Sequence, residues 1–300
     1  MSNKFISLCL LIGWARINMF STKVEVCMAN ILPIEKQATV IGALAEGSSI
    51  RSVERMTGIH RDTIMRLGVR VGEACRQYMD STMRDLACER VQVDEIWGFI
   101  GKKQAHVTKQ DDPTKGDVYT FIALDADTKL IPSFVVGKRD SYHANMFLED
   151  LAARLANRVQ ISSDAFNAYA KAVEAGFGSE VDYGQIVKTF VCSELSPGRY
   201  SPPDIFTAKK SVVIGDPEAR DISTSFVEVH NRTMRMHNRR LTRLTNAFSK
   251  KLDNFKASVA LYLAYYNFVK SHGTIRCTPA MAAGVTKGFM SVTDLVKLAA

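Results

Sequence analysis

Residues 224–255 run without a single Gly or Pro. Within them Val227, Met234, Leu241 and Phe248 recur every seven residues, with Leu244 beside them. That spacing predicts one long helix with a single apolar stripe. Glu228, Arg232, Arg235 and Arg239 follow at helical intervals and share a neighbouring face. From Val229 to Lys256, eight Arg and Lys residues face one acid, Asp253. A lone carboxylate at the head of so cationic a helix suits a metal ligand or acid-base group beside a polyanion. Ser225-x-x-Glu228 is also a capping box, with Ser225 as N-cap and Glu228 bonding back to its N–H. The stretch by itself leaves both roles for Glu228 open.

The whole chain has 300 residues, 46% apolar and 23% charged, which suits two folded units and excludes disorder. A net charge of +8 favours a polyanionic partner, nucleic acid before membrane. Six cysteines are scattered with no C-x-x-C pair, so no zinc ribbon is legible, and such thiols fit a reducing cytosol. Residues 5–14, after Lys4, resemble a short signal-peptide core but are too few to span a bilayer. No small-x-small cleavage site follows. Residues 1–29 are therefore either a leader or the product of a misassigned start, with translation beginning at Met28.

Residues 30–80 read as short helices. Helix 35–46 ends at Gly47, Ser48 or Ser49 caps helix 50–56, and Thr57-Gly58-Ile59 is a tight turn. A third helix spans 60–71, with 72–79 as an extension. Two short helices around a Gly-containing turn describe a helix-turn-helix. Its second helix would carry His60, Arg61, Thr63, Arg66 and Arg70 toward DNA. A three-helix bundle with a solvated basic face fits the same pattern.

After a linker at 81–90 the period becomes that of strands. Residues 91–100, VQVDEIWGFI, carry Asp94 and Glu95 in mid-strand, where acids are costly without a metal or partner. Strand alternation sends Glu95 to the face opposite Asp94, as a bystander. Strands 118–124 and 131–136 complete an antiparallel meander, with Asp125 and Asp127 as turn residues. Helix 143–156 precedes strand 159–163. Asp164 stands at the carboxyl end of that strand, as a ligand at the sheet's end or as the N-cap of helix 165–175. Strand 181–190 follows. Residues 191–223 hold Pro197, Pro202, Pro203 and Pro217 and read as an irregular insertion. Residues 254–271 form a further helix whose Tyr262, Tyr265, Tyr266 and Phe268 read as core packing. The tail, 277–300, holds Pro279 and a short helix.

Asp94, Asp164 and Glu228 are thus three carboxylates on elements that a strand-rich unit could bring together. Oxygen ligands of that kind suit hard divalent cations. Two such ions can activate a nucleophile and steady a leaving oxygen in phosphoryl transfer.

The stretches EGSSIRSVERMTGI, VDEIW, ALDADTKLI, LANRVQISSDAFNAY, FVEVHNRTMRMHNRRLTRLTNAFSKK and YYNFVKSHGTIRCTPAMAAGV occur in one order. On them the chain, from about Met28 onward, resembles the DDE transposases of bacterial insertion sequences, of the insertion-sequence-one type in its single-frame form. The resemblance implies an α/β fold with a ribonuclease H-like core (residues 91–276, interrupted by 191–223) behind an all-α helix-turn-helix domain. It places the catalytic and metal-binding acids at Asp94, Asp164 and Glu228. Asn231 and Arg235 match the polar positions that follow the glutamate. It further implies Mg²⁺ or Mn²⁺, as two ions, and double-stranded DNA, both transposon ends and target, as partner. Arg232, Arg239 and Arg243 would hold the DNA backbone. A homo-oligomer is the implied active form, cytoplasmic and nucleoid-associated, with no stable membrane partner. The N-terminal zinc element common in that group has no ligand set here. Two alternatives stay open: a decayed helix-turn-helix regulator, and a ribonuclease H-like nuclease without strand transfer.

Overall fold

Strand β1 (Arg90–Ile100) is rich in β-branched and aromatic residues, which suit a pleated surface covered on both faces. It pairs antiparallel with β2 (Gly116–Asp125), and β2 pairs antiparallel with β3 (Phe134–Gly137). On its other edge β1 runs parallel to β4 (Val159–Asp164), and β4 runs parallel to β5 (Val181–Val191). An antiparallel β6 (Asp204–Ile214) closes the order β3-β2-β1-β4-β5-β6. This computed structural model describes residues 31–191 and 204–300. The expected leader or misassigned start at 1–29 lies outside the described residues.

Strands β1 and β4 pair only at residues 90–92 against 160–162. Beyond Gln92 they part, and the sheet order changes direction there. Such a point opens a crevice at the carboxyl ends of parallel strands.

Helices α4 (Ser141–Ala152) and α5 (Asn167–Phe177) cover one face of the sheet. Phe121 of β2 packs on Phe147 and Tyr169 there, with ring centroids 5.8 and 6.4 Å apart. Helices α6 (Ser225–His237) and α7 (Leu252–Ala264) lie on the other face. Gly98 of β1 makes room for α7 and for the turn after α6, since a Cβ there would lie 3.3 Å from both Phe255 and Leu241.

Three helices precede the sheet: α1 (Ile34–Ala45), α2 (Ile50–Thr57) and α3 (Arg61–Thr82). Ser49 caps α2 by accepting the Ser52 N–H at 3.0 Å, and Gly58 ends it at φ 70°. Helix α3 is continuous, with no break at Gly72. That glycine is where α3 meets α7, because a Cβ would stand 2.2 Å from the Ala257 carbonyl oxygen. Buried Arg154 ties the end of α3 to α4, with hydrogen bonds to Asp80 and Asp150 at 2.7 and 2.8 Å. Past α8 (Pro279–Ala282), helix α9 (Val292–Lys297) begins with a capping box from Ser291 to Asp294 and packs on α1.

Three expectations are corrected. The long helix over 224–255 is two helices. It stops at Asn238, whose buried side chain accepts the Arg240 N–H and bonds Ser258 instead of continuing the helical ladder. Arg239–Leu241 is a 3₁₀ turn, and exposed Leu244 sits at φ 58°. The capping box at Ser225 is absent, because the N-cap is Thr224 and two N–H groups of the first turn go to Gln92 instead. The insertion at 191–223 contains β6, an eleven-residue strand. Residues 192–203, with Pro197, Pro202 and Pro203, lie outside the described residues, and Pro217 follows the strand.

Candidate metal centre

Strand β1 delivers Asp94 two residues past the point where β1 and β4 separate. Asp164 is the last residue of β4. One oxygen from each of Asp94, Glu95 and Asp164 lies within 4.8 Å of the others. The crevice is a cavity of about 520 Å³ lined by Asp94, Asp164, Arg139, Lys188, Thr224 and Glu228, among others.

Helix α6 reaches this crevice because the central strand holds its first turn. Gln92 Oε1, buried on β1, accepts the N–H groups of Phe226 and Val227 at 2.8 and 3.1 Å. First-turn N–H groups have no partner within a helix, so the side chain of a neighbouring strand both satisfies and positions them. One turn on, Asn231 Nδ2 donates to Asp94 Oδ2 at 2.8 Å. Glu228, one turn closer to the helix start, lines the same cavity.

The acids are not alike. Burial, and then the charges of Glu95 and Asp164, push Asp94 up to about 7, against the opposing bond from Asn231. Burial and Asp164 also raise Glu95, although Arg139 and the Tyr169 hydroxyl favour its charged form. Arg139 bonds the Glu95 carboxylate and lies over the Phe166 ring, 3.9 Å from its centroid. Burial works against the charge of Glu228 too, but there Lys188 and Thr224 prevail and the carboxyl titrates below its ordinary value. Thr224 Oγ1 donates to Glu228 Oε1 at 2.7 Å, and Lys188 Nζ bonds the same oxygen.

The structure therefore brings Asp94 and Asp164 together and sets Glu228 in the same cavity, with its carboxylate outside the three-acid group. Glu95, read as a bystander, has an oxygen within the three-acid group. Strand alternation does send it toward Tyr169, whose hydroxyl donates to it at 2.9 Å, but its longer side chain carries an oxygen back to the cluster. Asp164 is not the N-cap of α5, which is Phe166, although its Oδ1 accepts the Phe166 N–H at 3.1 Å. Arg235 does not line the cavity. Its Nη1 donates to the carbonyls of Trp97 and Leu241 at 3.3 and 3.2 Å, bracing α6 on β1. Burial, with Arg243 nearby, lowers it to about 10.

The residues expected to contact DNA do not gather at one site. Arg61 and Arg239 line one cleft of about 650 Å³ between the first three helices and the turn after α6, with Arg51 and Arg240. His60, Arg66, Arg232 and Arg243 are exposed, and Thr63 is half-buried. The His60 ring also caps α3 by accepting the Asp62 N–H, and Arg70 donates to Gln37 at 3.0 Å.

Gln92, Arg139 and Lys188 were not legible as site residues, whereas Glu95 carried the same mid-strand cost as Asp94 and was set aside on strand alternation. Arg139 and Lys188 sit in ordinary loop and strand contexts.

The donor set fits a hard divalent ion. It consists of carboxylate oxygens alone, crowded enough that burial and like charge hold Asp94 up near 7. A cation among them would relieve that repulsion. Among the described residues no helix is long and apolar enough to cross a membrane.

No protein-family model matches the chain, and no curated protein matches it. Among solved structures it is similar to piggyBac transposase in a synaptic complex with hairpin DNA. The TM-score is 0.41 and the identity 9%, over 89% of this chain and 69% of that one. A likeness of that degree fixes neither the fold nor the chemistry of this chain.

Proposed function

We propose that the chain is a DDE-type DNA transposase, a metal-dependent polynucleotidyl transferase of the insertion-sequence-one type. The observation that carries this reading is the crevice between β1 and β4, where Asp94, Glu95 and Asp164 cluster and helix α6 adds Glu228 and Asn231. The strand order, with three antiparallel strands followed by two parallel ones, supports a ribonuclease H-like core.

On this reading Asp94 and Asp164, with Glu228, hold Mg²⁺ or Mn²⁺. Bound there, the ions supply Lewis acidity to the attacking and leaving oxygens. Asn231 orients Asp94, and Gln92 sets the depth of α6 in the crevice. Arg139 and Lys188 place positive charge beside the acids, where a phosphate of the DNA backbone would lie. Water attacks the phosphorus at the element's end, and the 3′-oxygen leaves and takes up a proton. That 3′-hydroxyl then attacks a phosphorus of the target strand and displaces the target's own 3′-oxygen. Neither step needs a covalent bond to protein.

Residues 30–80 would act as a helix-turn-helix on the terminal inverted repeats, through His60, Arg61, Thr63, Arg66 and Arg70. Arg232, Arg239 and Arg243 would contact DNA phosphates. A homo-oligomer would bring two ends together. The test is a strand-transfer assay with duplexes taken from the DNA flanking the reading frame, a supercoiled target plasmid and Mg²⁺ or Mn²⁺. The reading expects products in which the duplex 3′ end is joined to target DNA. Cleavage with no joined product would leave a nuclease in its place.

A further inference from the structure

Glu228 shares the cavity of Asp94 and Asp164, yet its carboxylate stands apart from the oxygens that Asp94, Glu95 and Asp164 bring together. Lys188, on β5, holds it there by bonding Glu228 Oε1, and Thr224 donates to the same oxygen. The Lys188 side chain is only 24% exposed, so its ammonium is partly withdrawn from water while it keeps this partner. An ammonium and a divalent ion compete for one carboxylate, because each satisfies the same charge. Lysine is also the basic side chain best able to change partners, being a point charge on a flexible four-carbon stem. A phosphate oxygen entering the cavity offers that ammonium a charge-assisted bond of its own.

We propose that Lys188 is an internal stand-in cation, which keeps Glu228 out of the acid cluster until a DNA phosphate draws the ammonium away and frees the carboxylate for a divalent ion. The proposal rests on the metal-dependent reading above and adds to it an order of events. Each group changes partner without being left unpaired: Lys188 exchanges a carboxylate for a phosphate, and Glu228 exchanges an ammonium for the incoming ion. Lys188 is thereby a positioning residue for the Glu228 ligand.

The test is Mn²⁺ binding to the full chain, followed by the loss of the free-ion paramagnetic resonance signal, with melting curves confirming that each variant is folded. Lys188→Met removes the competing charge. It is expected to bind Mn²⁺ about tenfold more tightly than the wild type, in the absence of DNA. Lys188→Arg keeps the charge and should bind as the wild type does. The double variant Lys188→Met, Glu228→Gln should lose the gain. Adding a duplex oligonucleotide should tighten Mn²⁺ binding by the wild type and leave Lys188→Met unchanged. Equal affinities for wild type and Lys188→Met, with binding still lost in Asp94→Asn, overturn the stand-in role and leave the acid cluster intact. No effect of the duplex on the wild type overturns release by DNA. If Asp94→Asn binds Mn²⁺ as the wild type does, the metal-centre reading falls, and this proposal falls with it.

Discussion

Asn231 on α6 donates to Asp94 on β1 at 2.8 Å, and this bond joins the helix to the acid that burial makes hardest to ionise. The Asn231 Oδ1 atom is buried with no hydrogen-bond partner, so the amide's one bond is spent on that carboxylate. Asn231→Ala removes a contact that favours the charged form. Asp94 should then titrate higher, and Mn²⁺ affinity at pH 7 should fall by roughly 10- to 100-fold, as for other residues that orient a metal ligand. The stability cost should be only about 1 kcal/mol. Mn²⁺ titration alongside urea unfolding checks both numbers.

Gln92 makes the opposite kind of contribution. Its oxygen satisfies two backbone donors at the start of α6, and Gln92 itself is 3% exposed. Gln92→Leu keeps most of the volume and strands both N–H groups. Leaving buried donors unpaired should destabilise the protein by about 2–4 kcal/mol. Urea midpoints report the loss. An unchanged midpoint would mean that water replaces the side chain and that α6 is anchored elsewhere.

Asp94 also sets a pH dependence. Its value is about 7 in the folded protein against 3.8 as the ordinary value. Between the two, the folded state holds a proton that the unfolded chain has released. The contribution is therefore complete below the lower value, declines as pH climbs toward 7, and is level beyond. Asp94→Asn lacks this loss. In chelator, its stability should match the wild type near pH 4 and exceed it above pH 7 by on the order of 3 kcal/mol. Paired unfolding curves at the two pH values measure the difference. Equal stabilities at both would show that Asp94 ionises without penalty.

Much of this arrangement was legible in the sequence. An acid inside an apolar strand is an expensive placement, and one at a strand's carboxyl end lies where ligands gather in open α/β sheets, so Asp94 and Asp164 stood out in the sequence. The strands β1, β2, β4 and β5 follow from short β-rich apolar runs bounded by turns or by helices. Other features depend on tertiary contacts that no local pattern carries. The seven-residue stripe from Val227 to Phe248 continues past Asn238, where the side chain turns to the Arg240 N–H and to Ser258 on α7 and the helix stops. Glu228 has a capping residue at the right spacing, yet the helix start is satisfied from Gln92, more than a hundred residues away in sequence. Glu95 points away from Asp94 by alternation, yet its longer side chain still brings one oxygen within 4.8 Å of the Asp94 and Asp164 oxygens. Lys188 is an ordinary strand lysine until α6 places Glu228 beside it.

The central claim is that the crevice at Asp94 and Asp164 performs metal-dependent chemistry on DNA. The most direct measurement is cleavage of an element-end duplex by Asp164→Asn and wild type, with a gel shift on the same preparations at matched salt. Asp164→Asn removes a charged oxygen donor at an edge of the cluster while keeping the strand's shape. The account predicts that DNA binding survives and that Mg²⁺-dependent cleavage falls by at least about a hundredfold, the scale of losing one electrostatic partner of a transition state. Wild-type cleavage by a folded, DNA-binding Asp164→Asn protein would contradict it.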